Sequence, residues 1–152
     1  MTYGPRTRVA DVMRKTAGNL GMDGSAKFPS SETRSLDSPA ASQRLVILES
    51  PYAGPTAAAV EANLAYARRA LRDSLDRGEA PIASHLLYPQ VLEDRDPDQR
   101  ARGIAAGLAW LKVAEATVVY ADRGITPGMQ YGINQAHAAG LPVEYRYIEG
   151  GG

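Results

Sequence analysis

Three short stretches of the chain collect residue types that can do chemistry on a small polar ligand. The first is Glu49-Ser50-Pro51-Tyr52-Ala53-Gly54-Pro55. It offers a carboxylate, a hydroxyl and a phenol beside Gly54, a residue that lets a ligand approach the backbone closely. Thr56 then opens a helix, so free N–H groups point into this loop and favour an anion. The second stretch is Ser84-His85, in which the imidazole can serve as an acid–base group or as a hydrogen-bond donor. The third holds Asp122, Gly124, Thr126, Gly128, Met129 and Gln130. It again leads into a helix N-terminus, and Gly128 lets a phosphate or sugar come near. Each stretch also has a plainer reading. The first is equally a tight turn with Tyr52 packed on the domain edge. A lone loop histidine such as His85 more often carries no chemistry than some, and the third stretch is equally a capped helix whose small residues allow close packing.

Several chemistries are excluded by what the chain lacks. There is no G-x-G-x-x-G fingerprint, no GKS or GKT phosphate loop and no G-x-S-x-G elbow. Cysteine is absent, which removes disulfides, thiolate nucleophiles and cysteine metal cages. His85 and His137 lie too far apart for an H-x-x-x-H metal pair, and His137 reads as filler within a helix. Glu93, Asp94, Asp96 and Asp98 resemble a magnesium cluster, but they read better as the solvated start of a helix. No metal and no cofactor is therefore expected.

Bulk properties narrow the partners. The chain has 152 residues with 17 basic and 17 acidic side chains, a formal net charge of zero. That balance supplies no long-range attraction to nucleic acid or to anionic lipid. No apolar run approaches the ~18 residues that span a bilayer. The first residues lack the apolar core of a secretory signal, so a cytoplasmic location is expected.

The elements that must position these loops follow from periodicity. Residues 1–42 are expected to be a flexible arm, because residues 21–42 are rich in Gly, Ser, Asp, Pro and Lys and poor in large apolar groups. Val9, Val12, Met13 and Leu20 allow a short helix over 9–20, whose basic residues are available to a partner. From Arg44 the pattern sharpens. Leu45 to Leu48 is a short apolar run, as in a strand covered on both faces. A helix from Thr56 to about Asp76 carries Val60, Leu64, Ala67, Leu71 and Leu75 as its apolar stripe. Further strands are expected at 81–84, 117–120 and 141–145, with a short helix or turn over 85–92. Helices are expected over 96–113, with Ile104, Leu108 and Leu111 inward, and over 126–139. Asp96-Pro97 and Thr126-Pro127 are cap-plus-proline signals for the starts of these two helices. Residues 149–152 are expected to be a loose end. Strands alternating with helices imply a mainly parallel sheet, whose ligands sit outside the carboxyl ends of the strands.

Taken in order, the loops resemble a known family. The series is VILESPYAG, then N-x-x-Y-A from Asn63, P-x-A-S-H-L-x-Y from Pro81 and R-x-x-G-x-x-x-G from Arg100. AEATVVYADRG and TPGMQYGINQAHAAGLPV complete it. Over about Arg44 to Val143 this is similar to the nucleoside 2-deoxyribosyltransferase-like superfamily, and especially to its small bacterial and phage branch. The resemblance implies a flavodoxin/Rossmann-like three-layer sandwich with a small, mainly parallel sheet of four to five strands, over residues 43–148. It implies cleavage of an N-glycosidic bond through a carboxylate nucleophile, by base exchange or by hydrolysis. It places Tyr52 near the sugar or nucleophile, Asp122 at the base or ribose, and Gly128 and Met129 at the sugar pocket. It also implies a homo-oligomer.

At the nucleophile position the chain departs from the family. The expected glutamate is replaced by Gln130 or by Gly132, depending on which branch is followed, and neither can form a glycosyl ester. Glu49, at the end of the first strand, and Asp122 are the carboxylates left to carry the role. Glu115 precedes the third strand, at the opposite end of the sheet. Two main readings follow: a nucleoside or nucleotide N-glycosidase or deoxyribosyltransferase, and a nucleotide-binding module of the same fold without a competent nucleophile. The third is an interaction protein that uses its N-terminal arm.

Overall fold

A computed structural model describes residues 42–150. The expected arm, except for Ser42, and its short helix over 9–20 lie outside the described residues. Four strands run β1 (Arg44–Glu49), β2 (Glu79–Ile82), β3 (Ala116–Tyr120) and β4 (Val143–Arg146). All pair in parallel, in the order β2-β1-β3-β4. Helix α1 (Ala57–Asp76) follows β1, the single turn α2 (Ser84–Leu87) and helix α3 (Pro97–Ala109) lie between β2 and β3, and α4 (Pro127–Ala138) joins β3 to β4. After β1 the chain moves to one neighbouring position, and after β2 it returns past β1 to the other. The strand order therefore reverses between β1 and β3, where a crevice opens at the strand ends.

The two faces of the sheet are filled differently. On one, Val46, Leu48, Ala116, Val118 and Tyr120 pack with Tyr66 and Ala70 of α1 into a closed core. The buried residues of α1 are Tyr66, Ala67, Ala70 and Ser74, whereas Leu75 is half exposed. The buried stripe is thus rotated from the expected one. Small residues let the helix axis approach the sheet, and the one large buried side chain, Tyr66, has a partner for its hydroxyl. Thr56 caps α1, its hydroxyl accepting from the Ala59 N–H. Thr56→Ala is expected to cost about 1 kcal/mol, read as a lower denaturation midpoint at unchanged m-value.

An ion network crosses this same face. Arg146 donates through both terminal nitrogens to the Glu79 carboxylate, each at 2.7 Å, and Ser74 Oγ donates to it at 2.7 Å. The Arg146 guanidinium holds the Glu79 carboxyl down to about 2. Arg44 pairs with Glu144 and Glu79. Strand β2 therefore begins at Glu79, two residues before the expected start, because a buried partner satisfies the charge.

On the other face Val119, Met129, Ile133 and Val143 form a small cluster under α4. Helix α3 is different: none of its residues is buried. Ile104, expected inward, is 41% exposed, and Leu108 and Leu111 are only half buried. The space they face, over β1, is a cavity and not packed core. The expected loose end is also partly fixed. The Glu149 N–H donates to Asp122, and its carboxylate pairs with Arg69 and Arg123. No helix among the described residues is long and apolar enough to cross a membrane.

Candidate functional site

The cavity has a volume of about 670 Å³ and lies at the β1/β3 reversal point, between the sheet, α2, α3 and α4. Strand β1 delivers Glu49 into it. Side chains alternate along a strand, so Glu49 shares its face with Ile47, which also lines the cavity. The Glu49 carboxylate makes no hydrogen bond or ion pair among the described residues. Burial without a counter-charge pushes its carboxyl up to about 7.

The carboxylate rests against Gly132 of α4. A Cβ added at Gly132 would meet Glu49 Oε1 at 2.3 Å and Cδ at 2.9 Å. The glycine at one of the two expected nucleophile positions thus leaves the volume that a carboxylate on β1 fills.

Beside Glu49, Ser50 is 3% exposed and shares a 2.7 Å hydrogen bond with His85 Nε2, the donor being set by the imidazole tautomer. Burial pushes His85 down to about 4, so the ring is neutral at physiological pH. A neutral ring in a short bond to a buried hydroxyl orients groups and carries no charge into the cavity. Tyr52 also lines the cavity. The Asn63 amide fixes its loop by donating to the carbonyls of Tyr52 and Ala53. At the α4 end, Thr126 caps the helix by accepting from the Met129 N–H. Thr126, Gly128 and Met129 all border the cavity.

The structure therefore gathers Glu49, Ser50, Tyr52, Ser84, His85, Thr126, Gly128 and Met129 around one volume. Four other expected residues stand apart from it. Asp122 turns toward α1. It accepts from Tyr66 OH at 2.6 Å and from the N–H groups of Ile148 and Glu149, so its oxygens are committed to holding the C-terminal segment. Gly54 sits where a Cβ would strike Ala59 Cβ at 2.7 Å, which makes it a packing glycine for α1. Gly124 occupies the left-handed region at φ +81° in a turn, with nothing near its missing side chain. The Gln130 side chain lies on the exposed side of α4, donating to Asn134. Residues along a turn and a helix start cannot all face one way, and spacing alone does not select among them.

Tyr88 and Arg100 belong to the family-like motifs and Asp94 to the acidic run, and none of these patterns assigns them to the cavity. Asp94 and Arg100 form a 2.9 Å ion pair at the wall. Tyr88 lines the cavity and accepts from Trp110 Nε1. Asp96 is the helix cap that the sequence implied, accepting from the Asp98 and Gln99 N–H groups. Among the described residues no cluster of metal-binding side chains exists.

An open parallel α/β sheet with its cavity at the strand-order reversal defines the class: a flavodoxin/Rossmann-like α/β fold, a class in which ligand sites lie at the strand ends. Within that class, the chain belongs to the family described as Domain of unknown function (DUF7768), which it matches over residues 44–146. A solved structure of a 2-deoxyribosyltransferase from the psychrotolerant bacterium Bacillus psychrosaccharolyticus is similar in fold. Its TM-score is 0.51 at 18% sequence identity, over 70% of this chain and 74% of that one. No curated protein matches the chain.

Proposed function

We propose that this protein acts on the N-glycosidic bond of a nucleoside or nucleotide, as an N-glycosidase or a 2-deoxyribosyltransferase, with Glu49 as the reacting carboxylate. The observation that carries this reading is the unpartnered Glu49 carboxyl in a large, mostly apolar cavity, seated in the space left by Gly132. Breaking the bond from the anomeric carbon to the base nitrogen builds positive charge on the sugar. An ionised Glu49 meets that charge and closes on the anomeric carbon. The bonding electron pair leaves with the base, which takes a proton from solvent. The resulting glycosyl ester passes to water in hydrolysis, or to a second base in transfer. Tyr52, Ser84, Thr126, Gly128 and Met129 border the ligand, and the Ser50–His85 pair fixes the wall beside the carboxylate.

The test is to incubate the protein with nucleosides, nucleoside 5′-monophosphates and NAD. Free base is followed by chromatography, and melting temperature in parallel. Base release is the expected result. Melting shifts without base release would replace the enzyme by the binding module of the same fold. The absence of both would remove the reading altogether.

The same proposal includes a homo-oligomer. Leu87, Val91, Ile104 and Trp110 expose apolar surface on α2, α3 and the turns that follow them, with Val91 79% exposed. Sedimentation at increasing concentration is expected to give a species of at least twice the 16.2 kDa chain mass, and a monomer throughout would overturn this part.

A further inference from the structure

We infer that Thr117 reads the edge of the base that lies opposite the glycosidic bond, an inference that rests on the glycosidic reading of the cavity. Thr117 is in the middle of β3, 1% exposed, and lines the cavity. Among the described residues its Oγ1 is the one side-chain nitrogen or oxygen sealed from solvent without a hydrogen-bond partner, whereas the unpartnered Glu49 carboxylate still reaches the cavity. Leaving a buried hydroxyl unpaired costs about 1–3 kcal/mol, and valine would fill the same volume at no such cost. The adjacent strand residues Val118 and Val119 do the packing that β3 needs. The hydroxyl therefore lacks a packing rationale, and a ligand in the cavity that Thr117 lines is the partner left to it, met by a turn of the side chain that brings Oγ1 to the cavity surface.

Strand register says what that something is. Thr117 pairs with Ile47, and Glu49 pairs with Val119. Thr117 is thus one strand across from Glu49 and two residues back, roughly 8 Å between Cα atoms from strand spacing and rise. A sugar whose anomeric carbon meets Glu49 would lay its base inward over Ile47. The apolar side chains of Leu108 and Leu111 line the same cavity. A flat heteroaromatic ring spans that interval and brings its far edge to Thr117. A hydroxyl both donates and accepts, so it serves an exocyclic amino group or a carbonyl equally. The preferred substrates are therefore nucleosides whose base carries a hydrogen-bonding group at the far edge.

Matched pairs test this. 2′-Deoxyadenosine is compared with purine 2′-deoxyriboside, which lacks the 6-amino group. 2′-Deoxycytidine is compared with its analogue lacking the 4-amino group. Dissociation constants are measured by calorimetry on the wild type, Thr117→Val and Thr117→Ser. In at least one pair the wild type is expected to bind the substituted member about tenfold more tightly. Thr117→Val should abolish that preference without weakening the unsubstituted member, and Thr117→Ser should retain it. The melting temperature of ligand-free Thr117→Val should equal or exceed that of the wild type, which separates lost recognition from lost folding. A wild-type preference that survives in Thr117→Val overturns the inference and leaves the glycosidic reading standing, as does a wild type that binds both members of each pair equally. A wild type that binds no nucleoside removes the glycosidic reading and this inference with it.

Discussion

Glu49→Gln is expected to lower base release by on the order of 10³-fold while nucleoside binding changes little. Glutamine keeps the shape of the side chain, so the cavity and the contact with Gly132 persist. What is lost is the charge that meets the sugar. The same group sets a pH dependence. Base release in the wild type should rise as pH increases through about 7, because the reacting form is the ionised one and burial holds the carboxyl near that value. Stability moves the opposite way. The carboxyl is raised from 4.5 to about 7 on folding, so over that interval the unfolded chain releases a proton that the folded chain keeps. Rising pH therefore destabilises the wild type between those values, and the deficit is constant above them. Glu49→Gln removes it and should be more stable at pH 8 by at most about 3 kcal/mol, measured by denaturant melts across pH. Unchanged base release in the variant would sink the assignment of Glu49. An identical pH–stability curve in both proteins would show that the carboxyl is not desolvated.

Much of this architecture is written in local pattern. The apolar run Leu45 to Leu48, the Thr56, Asp96 and Thr126 caps, and the alternation of strand and helix lead to the parallel sheet, because each depends on residues a few positions apart. What the pattern misses depends on residues far apart. Glu79 lies outside the expected second strand, and it is buried only because Arg146, 67 residues away, is folded against it. Tyr66 is absent from the apolar stripe expected of α1, and what lets it be buried is far along the chain: Asp122 accepts a hydrogen bond from its hydroxyl, and the Arg123 guanidinium lies 4.7 Å from its ring centre. The apolar spacing of Ile104, Leu108 and Leu111 is correct in period, but period does not distinguish a helix that packs on a core from one that walls a cavity. The site divides in the same way. The strand-end loops could be found from topology alone. The separation of Glu49 from Asp122 required knowing which carboxylate already had its hydrogen bonds filled.

Gly132→Ala gives the sharpest separation of activity from stability. The new methyl group would occupy space 2.3 Å from Glu49 Oε1, so the carboxylate must turn away from its present position. A displacement of about 1 Å at a reacting group costs on the order of 10²-fold in rate. Folding should not suffer, since the obstruction is the flexible end of one side chain. Replacing glycine by alanine inside α4 also favours the helix by about 1 kcal/mol. The expected result is thus a protein that melts no lower than the wild type and releases base far more slowly. A complementary exchange, Glu49→Ala with Gly132→Glu, returns a carboxylate to the same volume from the helix instead of the strand. It should recover part of the activity that Glu49→Ala alone loses, as chromatography of free base would measure. Gly132→Ala with full activity would mean that the orientation of Glu49 against α4 is immaterial. A silent double variant would mean that the approach from β1, and not merely a carboxylate in that volume, is what the reaction requires.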